Sequence, residues 1–243
     1  MRRILFAAAL AFVFTITATA GQTNAKHLFI LSGQSNMFHL NPDTTFTPTI
    51  AAALGDENII VVKDALRGQP LRRWYKAWKP EGGTVSPGNG DLYDRLLETV
   101  RKATDGITLQ SVTFVWMQGE KDALQEYGSV YAASLKGLIE QLRQDLHRPD
   151  MNVVIGRLSD FGLGKSAYPD WTRVREAQVA VAEADPHAAW VDTDAFNGPD
   201  NELHLTQPEG YDALGKAFAE KAIELIRKAA PADRAEEAVS PAK

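Results

Sequence analysis

Five short runs along the chain are apolar without polar alternation: "HLFILSG" at 27–33, "NIIVVKDA" at 58–65, "SVTFVWMQG" at 111–119, "MNVVIGRL" at 151–158 and "AAWVDTD" at 188–194. A strand with one wet face alternates in polarity, so runs of this kind predict strands covered on both faces. Between them the apolar period lengthens to three and four residues. In "YGSVYAASLKGLIEQLRQDLH", Leu135, Leu138, Ile139, Leu142 and Leu146 form one stripe, the mark of a helix with one buried face. Similar stripes run through "DLYDRLLETVRKA", "WTRVREAQVAVAEA" and "GYDALGKAFAEKAIELIRKAA". Strand then helix, repeated, predicts an α/β protein whose central parallel sheet lies between two layers of helices. Active groups in such sheets gather at the carboxyl ends of the strands.

Two segments fall outside the pattern. Residues 66–91, with "GQP", "KPEGG" and "SPGNG", are too rich in glycine and proline for regular structure and are expected to form a long loop. The first 20 residues join a basic Met1-Arg2-Arg3 to the apolar "ILFAAALAFVFTI" and the small-residue "ATA", the pattern of a secretory signal cleaved near Ala20. The apolar run is shorter than the roughly 20 residues of a bilayer span, so a membrane anchor is the weaker alternative. The expected organisation is a leader over 1–20, one domain over 21–230 and a disordered tail over 231–243, in a secreted or periplasmic protein. A length of 243 residues with 44% hydrophobic composition suits a single domain with a sizeable core.

Charge narrows the partners. Removing Arg2 and Arg3 from 26 basic residues leaves 24 against 31 acidic ones, a net charge of −7. Such a surface repels phosphate backbones, so neither nucleic acid nor, after leader cleavage, a membrane is an expected partner. With no cysteine in the chain, thiol catalysis and cysteine-ligated metal sites are excluded, and an exported protein must rely on its core rather than on disulfides.

The chemistry begins at "ILSGQSNMFH", where an apolar strand ends on Gly33 and presents Gln34, Ser35 and Asn36. Glycine permits the tight exit, and the following residues can open a helical turn with free N–H groups. Ser35 can serve there as a nucleophile, or simply as a helix cap. A nucleophilic serine needs a base. Of the five histidines, His27 precedes the first strand, His39 lies just beyond Ser35, and His147 and His187 fall at helix ends; His204 sits in a polar loop after the last strand, which can return to the edge that carries Ser35. A third strand ends in Gln118-Gly119-Glu120: an amide can hold an oxyanion and a carboxylate can orient a histidine.

The blocks "GQSNM" at 33–37, "WMQGEKDA" at 116–123 and "HLTQPEGYDALG" at 204–215 resemble those of the SGNH hydrolase superfamily. Within it they are most similar to the sialate O-acetylesterase-like group, which includes the family 6 acetylxylan esterases. The likeness extends from Lys26 to about Ile226. It implies a three-layer α/β/α sandwich (flavodoxin-like) and hydrolysis of acetyl esters on carbohydrates without metal or cofactor. By position it makes Ser35 the nucleophile and His204 the general base. Gly68 in "RGQPLRRW" resembles the glycine whose N–H, with that of Ser35 and the Gln118 amide, forms the oxyanion hole. The superfamily usually places aspartate three residues before the histidine, where this chain has Asn201. Glu120 is the favoured substitute because it leaves a central strand toward the site; Glu202 and Asp200 are the alternatives. In "LRRWYKAW", Tyr75 and Trp78 beside Arg72 are expected to bind sugar, while Trp74 serves equally well as a core anchor. Two rival readings remain open: a non-catalytic carbohydrate-binding protein on the same fold, and a lipase or thioesterase of the superfamily.

Overall fold

The computed structural model describes residues 25–229; the expected leader over 1–20 and tail over 231–243 lie outside them. The five apolar runs become five parallel strands: β1 (Lys26–Gly33), β2 (Ile59–Ala65), β3 (Leu109–Met117), β4 (Asn152–Gly156) and β5 (Ala188–Val191). They lie in the order β2-β1-β3-β4-β5, so β1 is flanked on both sides. Its Leu28 is in register with Ile60 of β2 and Val112 of β3.

Successive residues of each strand feed opposite layers, which is why the runs are apolar throughout. Leu28 and Ile30 of β1, with Val112, Phe114 and Trp116 of β3, pack on α3 (Asp91–Thr104), α5 (Gly128–Asp145) and α6 (Trp171–Glu183) through Leu96, Leu135, Leu138 and Val174. Phe29 and Leu31, with Val115 and Met117, pack on α2 (Phe46–Leu54) and α7 (Glu209–Ala229) through Phe46, Ile50, Leu214 and Phe218. The result is the three-layer α/β/α sandwich that the pattern predicts. Full burial of side chains such as Phe29, Trp116 and Phe218 contributes about 1.5–3 kcal/mol each, the main offset to chain entropy.

The departures from expectation have local causes. α2 has no amphipathic signature in "FTPTIAAAL", and Pro48 lies in its first turn, where a missing N–H costs nothing. β4 and β5 are shorter than their apolar runs because Arg157 and Asp192 already belong to the loops beyond them. Residues 66–90 are irregular apart from a short 3₁₀ turn over Leu71–Arg73, and the expected loop ends one residue early because Asp91 opens α3; Leu71, Trp74 and Trp78 anchor the segment in the core.

Candidate active site

The exit of β1 is sterically forced. Gly33 has φ +144°, and a Cβ there would lie 2.0 Å from the carbonyl oxygen of Met117 on β3; that same oxygen accepts the Gln34 N–H at 2.9 Å. The chain then turns into the short helix α1 (Ser35–His39), with Ser35 as its first residue. Ser35 is therefore not the cap, which is Gln34. Neither the Ser35 N–H nor its Oγ has a hydrogen-bond partner among the described residues, and Oγ is not sealed from solvent.

A second segment enters from β2. The Leu66 N–H bonds the Gly33 carbonyl at 3.1 Å, which brings the start of the 66–71 turn beside the end of β1. Gly68 is exposed at φ +66°, and among the described residues, its chain neighbours aside, nothing lies within 4 Å of the place a Cβ would take. A residue with a side chain would be strained there by its backbone rather than by crowding. Its N–H, like that of Ser35, has no acceptor among the described residues.

The third segment leaves β3 through Gly119 into α4 (Glu120–Leu124). Gln118 is fully buried, and its Nε2 faces three acceptors: Asp122 Oδ2 at 2.6 Å, the Gln69 carbonyl at 3.0 Å and Gln34 Oε1 at 3.3 Å. Two N–H groups shared among three protein acceptors leave none for an oxyanion. The expectation that Gln118 is a third donor is therefore corrected: its amide fastens the surrounding segments. Asp122 Oδ2 also accepts the Leu71 N–H at 2.9 Å. Glu120 Oε1 accepts Asn36 Nδ2 at 2.9 Å, while Oε2 is buried without a partner among the described residues.

Burial pushes the carboxyls of both Glu120 and Asp122 up to about 7, far above an ordinary carboxylate. Such a group binds its proton more tightly in the folded chain than in the unfolded one. Its contribution to stability is complete below the unfolded pKa and is lost as pH rises through about 7. Melting temperatures measured between about pH 4 and pH 8 are expected to fall with rising pH on this account, and the double variant Glu120→Gln/Asp122→Asn to show a flatter profile. Parallel profiles for parent and variant would refute the assignment.

The fourth segment, between β5 and α7, carries His204, and Asn36 ties it to the rest. Asn36 is 3% exposed. Its Nδ2 donates to the Leu203 carbonyl at 3.3 Å as well as to Glu120; its Oδ1 accepts the Leu205 N–H at 3.3 Å and the Tyr211 hydroxyl at 3.0 Å. The residue next to Ser35 thus grips the backbone on both sides of His204. The loop is braced further by Asn197, whose Nδ2 bonds Ser159 Oγ at 2.6 Å and Asn201 Oδ1 at 2.7 Å, and by the Arg175–Asp194 ion pair at 2.7 Å. The exposed His204 ring stands edge-on to that of His39, centroids 5.4 Å apart. Among the described residues no hydrogen bond joins it to Ser35, and no carboxylate lies within 4.0 Å of its nitrogens.

Ser35, Gly68, Gln118, Glu120 and the His204 segment are thus gathered at one edge of the sheet. Glu120 reaches the His204 segment only through Asn36, and Glu202 and Asp200 are exposed. Asn201 is occupied by Asn197 and so serves the loop. Two sugar-binding expectations are corrected. Trp78 is 5% exposed and packs on Tyr127 at a centroid distance of 4.9 Å. Tyr75 lies under α5, its hydroxyl 2.4 Å from where a Cβ on Gly137 would sit. Both serve the core, as does Trp74. Arg72 stays beside the site, where its charge draws the Asp122 carboxyl down against the effect of burial. The pattern gave no weight to Asn36, Asp122, Tyr211 or Arg67, whose guanidinium lies 4.4 Å over the Phe38 ring. Among the described residues no group of three or more His, Asp or Glu side chains could hold a metal ion, and no helix is long and apolar enough to cross a membrane.

The five-stranded parallel sheet with a helical layer on each face is shared by solved structures. An Arabidopsis thaliana protein aligns with TM-score 0.64 at 20% identity, over 82% of this chain and 98% of that one. A carbohydrate acetylesterase from Xanthomonas citri aligns with TM-score 0.63 at 15% identity, over 83% of this chain and 57% of that one. A carbohydrate acetylesterase family member from Sinorhizobium meliloti aligns with TM-score 0.51 at 15% identity, over 83% and 99%. At such identities the likeness is one of fold. Residues 38–224 match the carbohydrate esterase family described as sialic acid-specific acetylesterase, and the chain belongs to that family; it is a carboxylic ester hydrolase. The matched region begins just past Ser35. No curated protein matches the sequence.

Proposed function

We propose that the enzyme removes O-acetyl groups from carbohydrates through an acetyl–Ser35 intermediate. Ser35 Oγ attacks the acetyl carbonyl carbon while His204 takes its proton. The carbonyl electrons pass to oxygen, which the N–H groups of Ser35 and Gly68 receive. Collapse of this intermediate expels the sugar oxygen, which takes the proton from His204. Water, deprotonated by His204, then attacks the acetyl–enzyme, and acetate leaves as Ser35 regains its proton. The observation that carries this reading is the grip of Asn36 on Leu203 and Leu205, which ties the base-bearing segment to the residue beside the nucleophile. The imidazole is held by no hydrogen bond among the described residues and can turn onto Oγ when substrate arrives, as bases in empty sites commonly do.

The family description favours an acidic sugar. Arg67, next to Gly68 and seated on Phe38, offers a guanidinium suited to a substrate carboxylate. Acetate release is the test: O-acetylated sialic acid is expected to turn over faster than acetylated xylan, and Arg67→Ala to erase the preference. A protein that releases acetate from neither sinks the reading.

A further inference from the structure

Gly68 is exposed, and among the described residues, its chain neighbours aside, nothing lies within 4 Å of where a Cβ on it would sit. Its position must therefore come from the anchors on either side. On the near side stands the Leu66 N–H to Gly33 carbonyl bond at 3.1 Å. On the far side the Gln69 side chain donates to the Arg67 carbonyl at 2.9 Å and accepts from Arg73 Nη1 at 2.6 Å, while Asp122 holds the main chain beyond it. One carboxylate oxygen, Oδ2, receives the Leu71 N–H at 2.9 Å and Gln118 Nε2 at 2.6 Å; Gln118 Nε2 in turn donates to the Gln69 carbonyl at 3.0 Å. Asp122 is fully buried, and its Oδ1 has no partner among the described residues. An ionisable group kept in such surroundings is costly. What it supplies is one oxygen that holds two segments at once.

We propose that Asp122 is a positioning residue for the oxyanion turn: through Leu71 directly and Gln69 by way of Gln118, it sets where the Gly68 N–H points relative to the Ser35 N–H. It touches no substrate atom. The inference rests on the acetyl–Ser35 reading and adds that the second oxyanion donor is held by this carboxylate. A main-chain donor carried on an exposed turn loses alignment when one of its main-chain anchors goes, and misplacement by about 1 Å costs on the order of 100-fold in rate.

Asp122→Ala and Asp122→Asn test it, with p-nitrophenyl acetate as substrate and trifluoroacetone as inhibitor. The ketone accepts Ser35 Oγ and carries the resulting oxyanion where the substrate's would form. Asp122→Ala is expected to lower kcat about 100-fold with KM changed less than about threefold, and to raise the inhibition constant by the same factor as kcat falls. Asp122→Asn keeps an acceptor oxygen and is expected to stay within about tenfold of the parent in both quantities. A role confined to stability reduces the fraction of folded enzyme and so lowers kcat, yet leaves the inhibition constant where it was. That result in Asp122→Ala overturns the proposal, as does parental kcat in the folded variant. Where Asp122→Ala does not fold, Asp122→Asn decides: a loss beyond about 100-fold shows that the charge rather than the acceptor matters and overturns it, and retention of both quantities supports it. Failure of the underlying reading looks different, because a parent enzyme that trifluoroacetone does not inhibit has no serine-bound oxyanion to hold.

Discussion

Ser35→Ala lowers turnover of p-nitrophenyl acetate by about 10⁴-fold or more and leaves the melting temperature unchanged. Both halves of this expected result follow from what surrounds the side chain. Ser35 Oγ has no hydrogen-bond partner among the described residues, so its removal strands no buried donor or acceptor. The backbone turn is fixed by Gly33 and by the Gln34 N–H on Met117, at 2.9 Å, and does not need the hydroxyl. The rate suffers because the bond that becomes the acetyl–enzyme can no longer form, while oxyanion stabilisation alone leaves a small residue of catalysis. The same variant escapes labelling by a fluorophosphonate that marks the parent at this position. Turnover within about tenfold of the parent, or a label that persists, removes Ser35 from the reaction.

Asn36→Ala is the second large effect, and it acts on stability and rate together. The truncation deprives Glu120 Oε1, the Tyr211 hydroxyl, the Leu205 N–H and the Leu203 carbonyl of a partner at once. Unpaired buried groups cost about 1–3 kcal/mol each; with water repairing the more exposed ones, a net loss of about 3 kcal/mol and a fall of roughly 10 °C in melting temperature is expected. Turnover falls about 100-fold in the folded fraction because the His204 segment loses its tether to α1. Asn36→Asp keeps the shape but turns an acceptor toward Glu120 Oε1, and is expected to be no better than alanine at neutral pH. Parental melting and turnover in Asn36→Ala would show that the segment is held by other means.

The fold was legible because its cause is written along the chain. Unalternating apolar runs separated by three-and-four stripes admit few arrangements other than a parallel sheet between helices, and the register of Leu28 with both Ile60 and Val112 follows from that burial. The polar residues that end β1 and β3 were legible for the same reason. Partnership between them was not. Asn36 sits beside Ser35 in the sequence, but its four partners are spread over three segments and become visible only when those segments meet. The Gln118 amide read as a free donor because its competitors, the Gln69 carbonyl and Asp122 Oδ2, lie on other parts of the chain or one helical turn away. Trp78 and Tyr75 misled for a further reason. Aromatic residues beside arginines suit a sugar as well as a core, and only burial tells the two apart.

The bonds through which Asn36 grips the last loop span 167, 169 and 175 residues of sequence. Contacts so distant along the chain must meet the entropy of closing a very large loop, and a folding molecule makes them after its local pairings are in place. The residue beside Ser35 and the segment that carries His204 are therefore joined only when nearly everything between them has been arranged. Ester cleavage by this protein is in consequence expected to gauge completed folding: on the proposed mechanism a refolding solution recovers its helical signal before it recovers turnover, and a chain cut short before residue 204 shows no turnover.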